Sequence, residues 1–457
     1  MRLASRSGSS RLSQALVAAT GRVLVVWLAL AMVAGAHRGL DAGDLLAVSL
    51  AAGVWLLALR AAFAGTPRAL GVGAPAAVGT ATGLVGVAAL NPLLHVGLQL
   101  SVPALLGLAV GVFVSTVAWE SVVVRLTGTR RVLVIGSSGL TEAAMAPRAR
   151  ALSIELLAAQ PPEQPGEGRA APMDDLARVV TAQRPDLVVF IDDQSCSEAL
   201  DRLLDIRERS FRVAGLTSFY EHAFGYVPLP HLTPVWFMGL LHFRQRPEHR
   251  PSKRVFDIVL ATVGLVLTAP LLALIYLAIT RTPGPVIYRQ IRLGEGGRHF
   301  RMYKFRTMRD GAERPGEAVW AQDQDPRTTG VGRVLRATHL DELPQLWNVL
   351  RGDMSIVGPR PERPEFIELL EATVPYWSRR LLVRPGLTGW AQVNCGYAAD
   401  SASAAEKLSY DFWYLRHGNL AVDLAICART LVLLLGVIDP RRVPRVRRRA
   451  ASEPPAP

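Results

Sequence analysis

The sequence predicts a membrane protein with four N-terminal transmembrane helices, a Rossmann-like α/β domain and a mixed, mainly α C-terminal domain. Three observations carry this. Hydrophobic residues make up 50% of the chain, with a mean hydropathy of +0.24. No charged residue occurs between Arg68 and Glu120. A short β-branched run, Arg131-Val-Leu-Val-Ile-Gly136, ends in glycine as the first strand of a doubly wound fold does.

The membrane region comes first. The charge-free interval has room for two helices of about 20 residues each, with a turn at Asn91-Pro92. Apolar runs at Val23–Ala36 and Leu45–Leu59 supply two more. Arg2, Arg6 and Arg11 precede the first helix, Arg60 and Arg68 lie between the second and third, and Arg125, Arg130 and Arg131 follow the fourth. The positive-inside rule then puts both ends of the bundle in the cytoplasm. A cleaved signal peptide also begins with basic residues, but three further apolar runs favour an anchor. The formal net charge of +13 suits an anionic membrane surface. Nucleic acid, the other common partner of a basic chain, leaves the apolar excess without a place.

The expected domains are 1–125 for the transmembrane region and 126–250 for the α/β domain. A C-terminal domain at 251–440 and a basic tail at 441–457 follow. In the α/β domain a helical stretch near Met173–Gln183 leads to a second strand at Asp186–Asp192, and Pro161–Pro172 reads as a loop. The glycine signal is only Gly136-x-x-Gly139. The dinucleotide fingerprint needs Gly-x-Gly-x-x-Gly, so a structural or regulatory role is the safer reading. Cys196, Cys395 and Cys427 are widely spaced and suggest neither a disulfide framework nor a metal site.

A further apolar segment, 255–280, is long enough to span and contains Asp257 and Pro270. Both flanks are basic, with Lys253 and Arg254 before it and Arg281, Arg289 and Arg292 after it. Two readings fit. The segment is an ordinary fifth span, or it enters the inner leaflet, breaks at Pro270 and returns. Thr268 is placed to satisfy a carbonyl freed at that break.

Beyond this segment the basic residues become organised. Tyr303-Lys-Phe-Arg-Thr-Met308 alternates in strand fashion, which puts Lys304 and Arg306 on one face. Asp325-Pro-Arg327 is a turn. Asp341-Glu342 are adjacent acids set among Arg333, Arg336, Arg351 and Arg360. Glycine and proline loops carry Arg360 and Arg384. Acids among cations suit phosphate chemistry, where a carboxylate attacks or holds a metal and arginines hold the anion. Adjacent acids also simply start helices. Pro344 joins the two readings, because proline is tolerated only in a helix's first turn. It places Asp341 and Glu342 at or near a helix N-terminus, which favours ionised carboxylates and bound phosphate. Tyr410, Trp413 and Tyr414 are either interfacial anchors or core.

Six ordered motifs in the stretch from Lys253 to about Leu435 resemble the bacterial sugar transferase family, the monotopic phosphoglycosyl transferases. They are Lys253-Arg-Val-Phe-Asp257, Tyr303-Lys-Phe-Arg-Thr-Met308, Leu340-Asp-Glu-Leu-Pro-Gln-Leu-Trp-Asn-Val349, Gly352-Asp-Met-Ser355, Val357-Gly-Pro-Arg-Pro361 and Arg384-Pro-Gly-Leu-Thr-Gly-Trp-Ala-Gln392. The N-terminal layout is similar to the large polyprenyl glycosylphosphotransferase branch. The resemblance implies a re-entrant helix at 255–280. It also implies a reaction in which a UDP-sugar and polyprenyl phosphate give a polyprenyl-diphospho-sugar and UMP. By motif, Asp341 would be the nucleophile and Glu342 would position Mg²⁺. Arg336 and Arg360 would hold phosphate, and Lys304 is a basic motif position. Arg306, Arg327 and Arg384 are further candidate phosphate contacts. Relatives often carry Ser before the break proline, where this chain has Ala269.

The expected partners are UDP-sugar, polyprenyl phosphate and membrane lipid, with no nucleic acid. A homo-oligomer is compatible with the sequence. The expected location is a bacterial inner membrane, multi-pass, with the catalytic domain on the cytoplasmic face. Other classes fit less well. A flippase needs ionisable groups within its spans, a nicotinamide enzyme needs the missing glycines, and a decayed scaffold would not keep the acids and arginines intact.

Overall fold

The computed structural model describes residues 21, 23–24, 26–28, 42–65, 73–90, 102–126, 130–135, 149, 154–158, 176–191, 211–244, 249–309, 311–312, 325–395 and 401–434. They form two compact units, dividing between Gly225 and Tyr226.

The first unit opens with three helices: α1 (Ala42–Gly65), α2 (Gly73–Leu90) and α3 (Val102–Leu126). Gly79 and Gly83, one turn apart on α2, let α1 approach closely. A Cβ on Gly83 would sit 2.4 Å from the Trp55 ring, and one on Gly79 would sit 2.7 Å from the Leu59 backbone. Trp55, Leu59, Leu108 and Val112 lie in the resulting apolar cluster. Among the described residues, two helical stretches are long and apolar enough to cross a membrane: Leu106–Val123 in α3 and Pro251–Thr280. Val48–Arg60 in α1 is a shorter apolar stretch. Most of the expected first span and the expected turn at Asn91-Pro92 lie outside the described residues. The architecture is that of a membrane-associated α/β protein.

The same unit holds a four-stranded parallel sheet with strand order β2-β1-β3-β4. Its strands are β1 (Arg130–Ile135), β2 (Ile154–Ala158), β3 (Leu187–Phe190) and β4 (Arg212–Gly215). Helix α4 (Leu176–Gln183) precedes β3, and α5 (Leu216–Phe224) follows β4. Leu133, Ile135, Val180, Val188 and Phe190 form the core between sheet and helix. Asp186 fixes the register of β3 on β1. Its carboxylate accepts from the Arg131 amide (3.0 Å), and its own amide donates to the Arg131 carbonyl (2.7 Å). The order reverses between β1 and β3, the switch point of a doubly wound sheet. Gly136 and Gly139, which follow β1, lie outside the described residues, as does the expected loop at Pro161–Pro172.

The second unit is built around α7 (His249–Thr280), which follows α6 (Pro234–Arg244). At 32 residues, α7 is about 48 Å long. Val259, Val263, Val266, Leu267, Leu274 and Leu277 are exposed on it, so its apolar surface is not core. The helix continues in helical conformation through Pro270, where a break was expected. Thr268 donates to the carbonyl of Gly264 (2.6 Å), not to that of Val266, the carbonyl deprived of its donor by Pro270. A threonine bonding back to residue i−4 bends a helix without ending it.

Both ends of α7 dock on the same fold. Near its start, Lys253 pairs with Asp423 (2.9 Å) and donates to the Val357 carbonyl (3.1 Å). Arg254 donates to the Val349 and Leu350 carbonyls, each at 2.6 Å. Asp257, fully buried, accepts from Ser355 Oγ (2.9 Å) and the Ile356 amide (3.0 Å). Near its end, Ile275 and Ile279 pack with Phe305 and Leu335.

The remaining elements are the antiparallel hairpin β5 (Ile287–Leu293) and β6 (His299–Phe305), then α8 (Gly330–Ala337) and α9 (Gln345–Arg351). The parallel pair β7 (Ser355–Val357) and β8 (Gly386–Thr388) follows, with α10 (Ile367–Thr373) between its strands. Helices α11 (Trp390–Cys395), α12 (Ser401–His417) and α13 (Leu420–Leu434) complete the unit. Tyr410, Trp413 and Tyr414 belong to its core and not to an interfacial belt. Trp413 stacks on His417 at 4.8 Å, and the Tyr414 hydroxyl donates to Asp423 (2.7 Å). Tyrosine and tryptophan go inside when their polar tips find partners.

Candidate active site

The acids sit where α8 gives way to α9. Thr329 caps α8, accepting from the Gly332 amide (2.9 Å). His339, with φ 57°, reverses the chain in the left-handed region that non-glycine residues rarely adopt. Leu340–Glu342 then form one short 3₁₀ turn, and Pro344 leads into α9. Asp341 and Glu342 therefore occupy the turn before a helix start, as Pro344 predicts.

Their environments differ. Glu342 Oε1 accepts from both Lys304 Nζ (2.8 Å) and Arg360 Nη2 (2.7 Å). Burial alone would raise the Glu342 carboxyl. Arg360 and Lys304 outweigh it and hold the group well below the usual carboxylate range. Asp341, 8% exposed, receives no hydrogen bond from the described residues. Burial raises its pKa, Glu342 adds to the rise, and Lys304, Arg336 and Arg360 oppose it. Burial also lowers the Lys304 pKa, against the pull of Glu342. The pair thus consists of one carboxylate locked as an anion and one unbonded carboxylate.

A strand, a loop and a helix bring the cations here. Lys304 lies on β6, whose position is set by fully buried Asn348. Asn348 accepts from the Tyr303 amide (3.0 Å) and donates to the Arg301 carbonyl (2.7 Å). Arg360 follows Gly358, which lies against the Pro-Gly-Leu-Thr-Gly loop. A Cβ on Gly386 would fall 2.0 Å from the Gly358 amide, and one on Gly389 2.1 Å from its carbonyl oxygen. Arg336 donates to Thr307 Oγ1 (2.9 Å) and Thr328 Oγ1 (3.3 Å), close enough for its charge to act on Asp341.

The other arginines are not brought to the acids. Arg306 lies past the end of β6 and is buried. It donates to the carbonyls of Ile279 (3.3 Å), Thr282 (3.0 Å) and Pro283, and to Thr282 Oγ1 (2.6 Å). It closes the C-terminal end of α7. Arg327 forms a two-pronged pair with Asp325, at 2.8 Å and 2.5 Å. That bond holds the Asp325 carboxyl down at about 2. Arg384, half-exposed, pairs with Glu295 at 3.5 Å.

Sequence reasoning gave no separate role to Asn348 or Thr307 and did not join Lys253, Asp257, Tyr414 and Asp423 into one group. A signal existed for the last. Lys253 and Asp257 are an i, i+4 pair at the mouth of an apolar helix, and such charges need buried partners.

A chain that sets one unbonded and one cation-locked carboxylate beside a long apolar helix shares its motifs with a known family. Residues 248–436 match the bacterial sugar transferase family, and the chain belongs to it. Three curated relatives show how far the likeness runs. A UDP-N-acetylgalactosamine-undecaprenyl-phosphate N-acetylgalactosaminephosphotransferase of Aeromonas hydrophila is 45% identical over 212 residues, 46% of this chain and 49% of that protein. A UDP-glucose:undecaprenyl-phosphate glucose-1-phosphate transferase of Caulobacter vibrioides is 45% identical over 186 residues, 40% of this chain and 69% of that protein. An Escherichia coli enzyme of the same name is 43% identical over 187 residues, 40% of each chain. The match therefore spans about half of the Aeromonas relative, 49% of its length.

Proposed function

We propose that this protein transfers a sugar 1-phosphate from a UDP-sugar to polyprenyl (undecaprenyl) phosphate and releases UMP. The product would start the assembly of an exopolysaccharide, capsule or other glycoconjugate. The observation that carries the reading is the split pair, with Asp341 unbonded beside a Glu342 held ionised by Lys304 and Arg360.

In the first step an Asp341 carboxylate oxygen attacks the phosphorus next to the sugar. The bond from that phosphorus to the bridging oxygen breaks, and UMP leaves with the electron pair. In the second step an oxygen of polyprenyl phosphate attacks the same phosphorus and displaces the Asp341 carboxylate. Arg360, Lys304 and Arg336 stabilise charge on the transferring group.

Mg²⁺ belongs to this reading. Among the described residues no cluster of three or more His, Cys, Asp or Glu could cage a metal. Two adjacent carboxylates instead fit Mg²⁺, which takes one or two carboxylates and fills its shell from water and substrate phosphate. Glu342 would hold it, and it would neutralise charge on the diphosphate.

The membrane arrangement follows from α7. Its two ends dock on one fold, through Asp257 on Ser355 and through Arg306 on Thr282. Two ends tied to one fold favour a re-entrant arrangement, bent at Pro270, over a fifth span. Four N-terminal spans and a catalytic face in the cytoplasm of a bacterial inner membrane complete the picture.

The test is a screen of UDP-glucose, UDP-galactose and their N-acetylated forms with undecaprenyl phosphate, measuring UMP release. One donor should yield UMP and a lipid-linked sugar diphosphate. Asp341→Asn should be inactive yet folded and membrane-bound, and normal turnover by that variant would remove Asp341 as nucleophile.

A further inference from the structure

We propose that Lys304 and Arg360 form a cationic lock on Glu342, so that a divalent cation and a nucleoside diphosphate enter this site together and not independently. The inference rests on the reading of Glu342 as the metal-holding residue.

Both cations converge on one oxygen, Oε1, at 2.8 Å and 2.7 Å. The Glu342 side chain is only 12% exposed, so solvent screens these contacts poorly. A divalent cation at that carboxylate would meet two positive groups at ion-pair distance. Asp341 next door cannot compensate fully, because the same lysine and arginines bear on it. The nucleotide-free enzyme should therefore hold a divalent cation weakly.

A diphosphate changes the balance. It offers the two cations oxygens of higher charge and leaves Glu342 free for the metal. Arg360 is the more exposed half, with a side chain 30% exposed on a loop. Lys304 is the more buried half, 17% exposed and carried on a strand. By linkage each ligand raises the affinity of the other by the same factor.

Mn²⁺ binding to the full-length protein in nanodiscs, followed by electron paramagnetic resonance without nucleotide, tests this. Lys304→Met and Arg360→Gln should each bind Mn²⁺ about tenfold more tightly than wild type, within the usual range of coupling. Adding Glu342→Gln to either should erase the gain. Arg336→Gln is the control, because Arg336 hydrogen-bonds Thr307 and Thr328 and, among the described residues, forms no ion pair with Glu342. It should change affinity far less. With UDP present at fixed free Mn²⁺, the gap between wild type and Arg360→Gln should close.

Three results would overturn the lock: no gain in Lys304→Met and Arg360→Gln, an equal gain in Arg336→Gln, or a gap that persists with UDP. Arg360→Gln decides alone if Lys304→Met does not fold. The Mn²⁺ pattern is read without turnover. An enzyme showing that pattern but releasing no UMP from any donor would refute the proposed reaction and leave the lock standing.

Discussion

Asp341 and Glu342 are neighbours in one 3₁₀ turn, yet burial governs one and cations govern the other. This has a pH consequence. Asp341 must be ionised to attack, and its pKa is raised, so activity is full above that pKa and falls as pH drops through it. The acid limb of kcat/KM should lie above the ordinary carboxylate value of about 3.9. Lys304 lowers the Asp341 pKa. In Lys304→Met the acid limb should therefore move to higher pH, and a limb that moves down would contradict the assignment.

Gly332 gives a second prediction at this scale. A Cβ there would lie 2.0 Å from the Thr307 carbonyl oxygen. Gly332→Ala should cost about 1–3 kcal/mol in chemical denaturation, the usual cost of overpacking. It should also lower activity, because Thr307 holds Arg336. The acids were legible because Pro344 marks a helix start, Lys304 from its alternating strand motif, and Arg360 from its glycine and proline loop. Arg306 was misread. Alternation puts residues two apart on one face only while a strand continues, and β6 ends at Phe305.

At the scale of elements, four successive residues at the end of β6 hold four different things. Lys304 holds Glu342, Phe305 packs on Ile279, Arg306 closes α7 and Thr307 holds Arg336. Arg306→Met should cost about 3 kcal/mol, since it strips several hydrogen bonds made by one charged group. Arg306→Lys should rescue little, because a single ammonium cannot span the same carbonyls. Denaturation of purified variants measures both. Two strands of the first unit, β1 and β3, could be read from their apolar β-branched runs, but β2, β4 and the strand order could not. Order is decided by crossover geometry that no local pattern records. How Pro270 acts could not be read either, for a related reason. Proline removes one donor, and whether the helix then ends or only bends depends on groups elsewhere, here Thr268 and the docked ends.

For the whole molecule, topology is the testable matter. Pro251 and Arg281 are exposed residues bracketing the apolar part of α7. With Cys196, Cys395 and Cys427 replaced, cysteines introduced singly at positions 251 and 281 should react with a membrane-impermeant maleimide from the same side. Labelling from opposite sides would show a crossing helix. The buried Arg380–Asp411 pair (2.7 Å) tests the integrity of the second unit. Arg380→Met strands a buried carboxylate and should cost about 3–5 kcal/mol, read as a lowered denaturation midpoint.

The anchoring of α7 also sets an order of events during synthesis. Asp257 leaves the ribosome before either Ser355 or Asp423 exists, and Asp423 follows it by 166 residues (423 − 257). At 5–20 residues per second the wait is on the order of ten to thirty seconds. Throughout it the apolar helix carries a lysine, Lys253, whose partner Asp423 is unmade, and for the first part of it an aspartate still without Ser355. The nascent chain must be kept at the bilayer surface, with these two residues in water, until the last helix arrives. A ribosome stalled before α13 would leave the helix inserted but untethered, and such a chain should be a ready substrate for membrane proteases.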